Sequence, residues 1–117
     1  MQIESTEALS IEQLAKIVSQ GQYPDACHLV GELLSRVVSR AATLTLIQQY
    51  RLYYFAYGVL MDAICDDLIA RHWREHCLNQ LYLPLSQMRG IAKRIDQTEH
   101  FKAVELEANK LSHFFLR

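Results

Sequence analysis

The sequence predicts an all-α fold of five to six helices in one domain over residues 1–117. Three observations carry this. No stretch alternates apolar and polar residues with the period of two that marks a strand. Apolar residues recur instead at steps of three and four. Glycine and proline number only four and two among 117 residues, so turns are few and long helices are expected. Half of the chain is apolar, enough for a real core.

Residues 1–9 read as a lead-in. Ser10 is a plausible N-cap, with Gln13 three residues on as its capping-box partner. Ile11, Leu14, Ile17 and Val18 follow at helical spacing. Gly21 should stop this helix in a left-handed C-terminal turn. Pro24 and Asp25 then predict the start of a second helix over about 24–39, since proline is tolerated in a first turn. Leu29, Val30, Leu33, Leu34, Val37 and Val38 give it one apolar face.

A third helix is predicted from about Thr43. Either Gly58 breaks it, with a new helix over about 60–73, or one helix covers 43–73. Gly58 could also let a neighbour approach closely. Helix is expected again over 75–83, with a kink or restart at Pro84, then over 85–95. Asp96–Thr98 is a polar break, and a last helix runs over about 99–115 with Phe101, Val104, Ala108 and Leu111.

The stretch Leu52–Met61 holds no charged residue, and Tyr50–Tyr57 packs five aromatics into eight positions. It is too short to span a bilayer as a helix, and Arg51 and Asp62 flank it. The stretch is therefore either core or the lining of a groove for a partner. With the first helix of a hairpin lining the concave side, Ala15, Val18, Leu52, Phe55 and Ala56 are the candidate partner contacts.

Composition excludes some classes. A formal net charge of −1 gives no broad basic face for nucleic acid. No membrane span is expected. The opening MQIESTEALS has neither a basic nor an apolar leader, and three cysteines without a CxxC pair suit free thiols. Both point to the cytoplasm.

Two segments look alike. Gly21–Ala26 is GQYPDA and Gly58–Ala63 is GVLMDA, 37 residues apart. That spacing is close to the tetratricopeptide period of about 34 residues. Gly21, Tyr23 and Ala26 match the Gly-x-Tyr-x-x-Ala of that motif. In the second unit Gly58 and Ala63 match, with Leu60 in place of the aromatic. Tyr54 and Ala70 fall at the motif's other tyrosine and alanine, where the first unit has Ile17 and Leu33. Asp67 stands where a large apolar residue is usual. Residues 10–73 thus resemble two degenerate tetratricopeptide-like hairpins, followed by C-terminal helices over 74–117. Size and repeats together resemble the short tetratricopeptide-like chaperones of bacterial type III secretion. That resemblance implies a protein partner, an amphipathic helix of an assembly-prone secreted subunit, held by a homo- or hetero-oligomer without cofactor.

The remaining polar groupings are weighed as chemistry. His72 and His76 share metal-ligand spacing on one helix face, but no third ligand joins them, so no metal is expected. Arg71 and His76 form Arg-x4-His. This resembles the motif of HEPN-type ribonucleases, in which arginine would steady a phosphate and histidine would move a proton. Asp62, Asp66 and Asp67 make an acidic face. Arg89, Lys93 and Arg94 make a basic rim. Cys65 reads as a small buried hydrophobe. No nucleophile elbow, P-loop or dinucleotide fingerprint is present, and the main expectation is a binding protein rather than an enzyme, with the HEPN-like ribonuclease and a plain dimerising helical protein as the alternatives.

Overall fold

A computed structural model describes residues 8–116, so most of the expected lead-in lies outside the described residues. The fold is all-α. Six helices follow in order: α1 Ile11–Gln20, α2 His28–Ala41, α3 Leu46–Ile64, α4 Arg71–Gln80, α5 Tyr82–Ala92 and α6 Thr98–Phe115. Helices α4 and α5 are separated only by a kink at Leu81. No strand occurs among the described residues.

The start and end of α1 follow from local chemistry. Ser10 Oγ accepts from the Gln13 N–H at 3.0 Å, and Gln13 Oε1 accepts from the Ser10 N–H at 2.7 Å. This reciprocal cap satisfies two donors that a helix start leaves free. Gly21 takes φ +57°, and the Gln22 N–H closes back on the Ile17 carbonyl. A Cβ at Gly21 would lie 2.6 Å from Ile69 Cγ2, so glycine is required there twice over.

Helix α2 starts later than the proline predicts. Tyr23–Ala26 instead forms a turn closed by the Ala26 N–H on the Tyr23 carbonyl at 2.8 Å. The Pro24 carbonyl accepts from His72 Nε2 at 2.7 Å, which holds it in the turn.

Helix α3 runs straight through Gly58 and ends at Ile64, matching neither expected boundary. Gly58 neither breaks the helix nor admits a neighbour: a Cβ there would meet nothing within 4 Å. The helix stops because Asp66 Oδ1 accepts from the Leu68 N–H at 3.0 Å, making a local turn that competes with further helix. Pro84 sits inside the first turn of α5, where a missing N–H costs little. The break therefore falls at Leu81, three residues earlier than expected.

The two look-alike segments occupy unlike places. GQYPDA joins α1 to α2, whereas GVLMDA lies in mid-helix. Only the first closes a helical hairpin.

Helix α3 is the hub and packs against each of the other five helices. The body measures 44 × 34 × 16 Å, a thin slab. The core joins Leu14 and Val18 of α1, Leu29 and Leu33 of α2, Leu60 and Ile64 of α3, Trp73 of α4, and Met88 of α5. No helix is long and apolar enough to cross a membrane among the described residues.

Candidate functional site

Helical geometry divides the aromatic stretch. Tyr50, Tyr53 and Tyr57 stand three and four residues apart and are buried, while Tyr54 at the edge of that face and Phe55 on the opposite side are each 43% exposed. Burial raises the phenol pKa values of Tyr50, Tyr53 and Tyr57; at Tyr57 the hydrogen bond to Glu107 adds to it.

The buried tyrosines attach α6 alongside α3. Tyr50 shares a hydrogen bond of 2.8 Å with His100 Nδ1. The Tyr57 hydroxyl donates to Glu107 Oε1 at 2.8 Å. Tyr54 stands edge-on to His100 and stacks on Tyr57. The two helices leave a shallow furrow between them.

Two clefts follow that furrow, and a third adjoins them on α6. One of about 370 Å³ is lined by Ile47, Tyr50, Arg51, Tyr54 and His100, among others. A second, of about 520 Å³, is bounded by Tyr54, Phe55, Gly58, Asp62, Cys65 and Leu111. A third, of about 350 Å³, lies along α6 at Leu106, Glu107, Lys110 and Leu111. Tyr54 borders the first two clefts, and Glu107 and Leu111 border the last two, so they form one face. Ile47, Tyr54, Phe55 and Leu106 are exposed apolar side chains on it. Such a face is costly to leave wet and marks interaction sites. The Cys65 thiol at its end is pushed up by burial first and by Asp62 next.

The groove expected between the first and third helices is not there. Helices α1 and α3 pack directly, with Ala15, Val18 and Ala56 buried between them. These three small or β-branched residues let the helices come close, which closes any furrow. Leu52 is half-buried against the core, and only Phe55 of the five is exposed on the α3–α6 face.

The polar cluster at 71–77 serves the fold. Trp73 is fully buried, and its Nε1 donates to the Val18 carbonyl at the end of α1 at 3.0 Å. Arg74 is also buried. Its Nε and Nη2 donate to the Ile64 carbonyl at 3.0 and 2.8 Å, and Nη2 reaches the Phe115 carbonyl at 3.1 Å. One guanidinium thus closes the C-terminal ends of α3 and α6, where carbonyls lack partners and the helix dipole favours a cation. Asp67 adds a contact at 3.4 Å. His72 holds the α1–α2 turn.

Arg71 pairs with Glu75 at 3.7 Å on the exposed side of α4. Arg71 and His76 lie five residues apart, about 140° round the helix, and border none of the three clefts. Among the described residues no group of three or more His, Cys, Asp or Glu could hold a metal. Asp62, Asp66 and Asp67 do not share a face: Asp66 caps a turn, Asp67 meets Arg74, and Asp62 points out from α3. In the basic rim, Arg89 bonds Glu105 at 2.6 Å and lies over the Phe101 ring.

Comparison with protein families, with characterised proteins and with solved structures finds no match to this chain.

Proposed function

We propose that the chain is a protein-binding module that holds an apolar helix of a partner against the α3–α6 face. The observation that carries this is the line of exposed apolar side chains from Ile47 through Tyr54 and Phe55 to Leu106 on one continuous face. A furrow between two neighbouring helices accepts a third helix by the packing that forms bundles. By the resemblance to short secretion chaperones, the occupant would be a helical segment of an assembly-prone exported subunit. The Gly21 hairpin, with Tyr23 and Ala26, supports that resemblance at one unit. Three free thiols suit a reducing cytoplasm.

The test is a display library of amphipathic helices panned against the purified protein. Binders should carry apolar stripes and should be lost in Phe55→Glu, with helical circular dichroism kept. Binders indifferent to Phe55→Glu would move the function off this face.

A further inference from the structure

The solvent side of α3 carries a seam that matches itself. Gln48, Arg51, Phe55, Gly58, Asp62 and Cys65 recur at steps of three, four, three, four and three. That is the spacing of an a/d seam, by which a helix faces a partner helix along its length. The four positions other than Gly58 and Cys65 are exposed, and those two are half-exposed.

The seam also has internal symmetry. Turned end for end about its midpoint between residues 56 and 57, it lays Gln48 on Cys65, Arg51 on Asp62 and Phe55 on Gly58. The two inner layers are physically complementary. Arg51 and Asp62 are opposite charges, and neither has an ion-pair partner among the described residues. Phe55 projects a large ring, and Gly58 offers open space where a Cβ would touch nothing. A two-fold interface demands this relation, in which residue i meets j and j meets i.

We propose that the chain forms a two-fold homodimer in which α3 packs antiparallel on α3 of a second copy, each Phe55 seated over the other's Gly58. This rests on the reading of the α3–α6 face as a helix-docking surface, and names α3 of a second copy as the helix that covers it in the free protein and that a partner helix would displace. Two Arg51–Asp62 pairs flank the two aromatic contacts and fix register and direction. Leu111 of α6 borders the same cleft as Phe55, Gly58, Asp62 and Cys65, with exposed Leu106 in the cleft next to it, so the apolar contact extends beyond one helix.

The experiment combines sedimentation equilibrium with a cross-link. The full chain should sediment as a reversible dimer of its 13.6 kDa mass. Arg51→Glu or Asp62→Arg alone should weaken the dimer roughly tenfold or more, because each places like charges in contact twice. Arg51→Asp combined with Asp62→Arg should restore it. Gln48→Cys, oxidised with diamide, should yield dimers in which the thiol introduced at position 48 of one copy is bonded to Cys65 of the other. The two positions lie about 25 Å apart along one helix, so no bridge can form within a chain.

A monomer at all concentrations overturns the dimer; if helices are still selected on the Phe55 face, the binding-module reading survives it. A dimer that ignores both charge reversals, or cross-links only Cys65 to Cys65, overturns the antiparallel register and with it the proposal. A dimer intact in Phe55→Glu overturns the seam and, if the selected helices also ignore that substitution, the docking face too.

Discussion

Two regions rich in large side chains are used in opposite ways. On α4, His72, Trp73 and Arg74 turn toward the protein, and every side-chain hydrogen bond described for them ends on a backbone carbonyl or a carboxylate. On α3, Phe55 turns away from the core, and Tyr54 leaves part of its ring exposed over Tyr57 and His100. The first region fastens helix ends. The second contributes little to the core and keeps its contacts available. Charged, histidine-rich clusters suggest chemistry in a sequence, yet here the uncharged stretch holds the candidate site.

The sharpest way to break this comparison is Arg74→Ala. It leaves the Ile64 and Phe115 carbonyls without their shared donor and should cost about 3–5 kcal/mol, a large part of a typical domain's stability. Arg74→Lys keeps the charge and loses the fork, so it should recover only part. Urea unfolding reads both. A loss below about 1 kcal/mol would show that α4 does not fasten the fold.

Gly21→Ala tests the same end of the molecule with a smaller effect. The left-handed φ and the approach of Ile69 should together cost about 2 kcal/mol. Removing the γ carbons of the neighbour with Ile69→Ala should return some of the steric part, giving a non-additive double variant. Additive losses would mean the two residues do not meet.

Why the sequence revealed helices but not the clasp is clear from these residues. Ser10 with Gln13, and Gly21 after Val18, are local signals whose meaning is complete within a few residues. Arg74 acts on Ile64 and Phe115, ten and 41 positions away, and nothing local announces them. One signal was present: Arg74, Cys77, Leu78 and Leu81 recur at helical spacing, which puts the arginine on an apolar stripe. Gly58 misled for the reverse reason. Its environment is empty, so its resemblance to Gly21 has no structural counterpart. The aromatic excess did point to the candidate site, but only the helical phase of Tyr54 and Phe55 divides groove from core.

Alkaline pH should probe the buried side. Burial pushes the Cys77 thiol from its ordinary 9.0 up to about 12. A raised pKa in the folded state means stability is fully present below pH 9 and is lost as pH rises toward 12. The slope should approach about 1.4 kcal/mol per pH unit within that window. The raised phenols of Tyr50, Tyr53 and Tyr57 add their own loss above about pH 10. Cys77→Ala should flatten the segment between about pH 9 and 10 in thermal melts, where tyrosines contribute little. An unchanged slope would show that the thiol ionises freely.

The smallest stability effect should come from the residue with the largest consequence for association. Phe55→Glu replaces a half-exposed ring on the α3–α6 face, so the new carboxylate can stay in water. Its cost to the isolated chain should stay near ~0.5 kcal/mol, as for surface changes remote from buried networks. Association adds stability by mass action, so the wild-type melting temperature should climb with protein concentration. The Phe55→Glu melt should not. At high dilution the two proteins should converge, and at high concentration they should separate. A loss of several kcal/mol at every concentration would place Phe55 in the core after all, because only a buried, unpaired carboxylate costs that much. That result would erase the contrast between α3 and α4, and the exposed seam would become one more wall of the bundle.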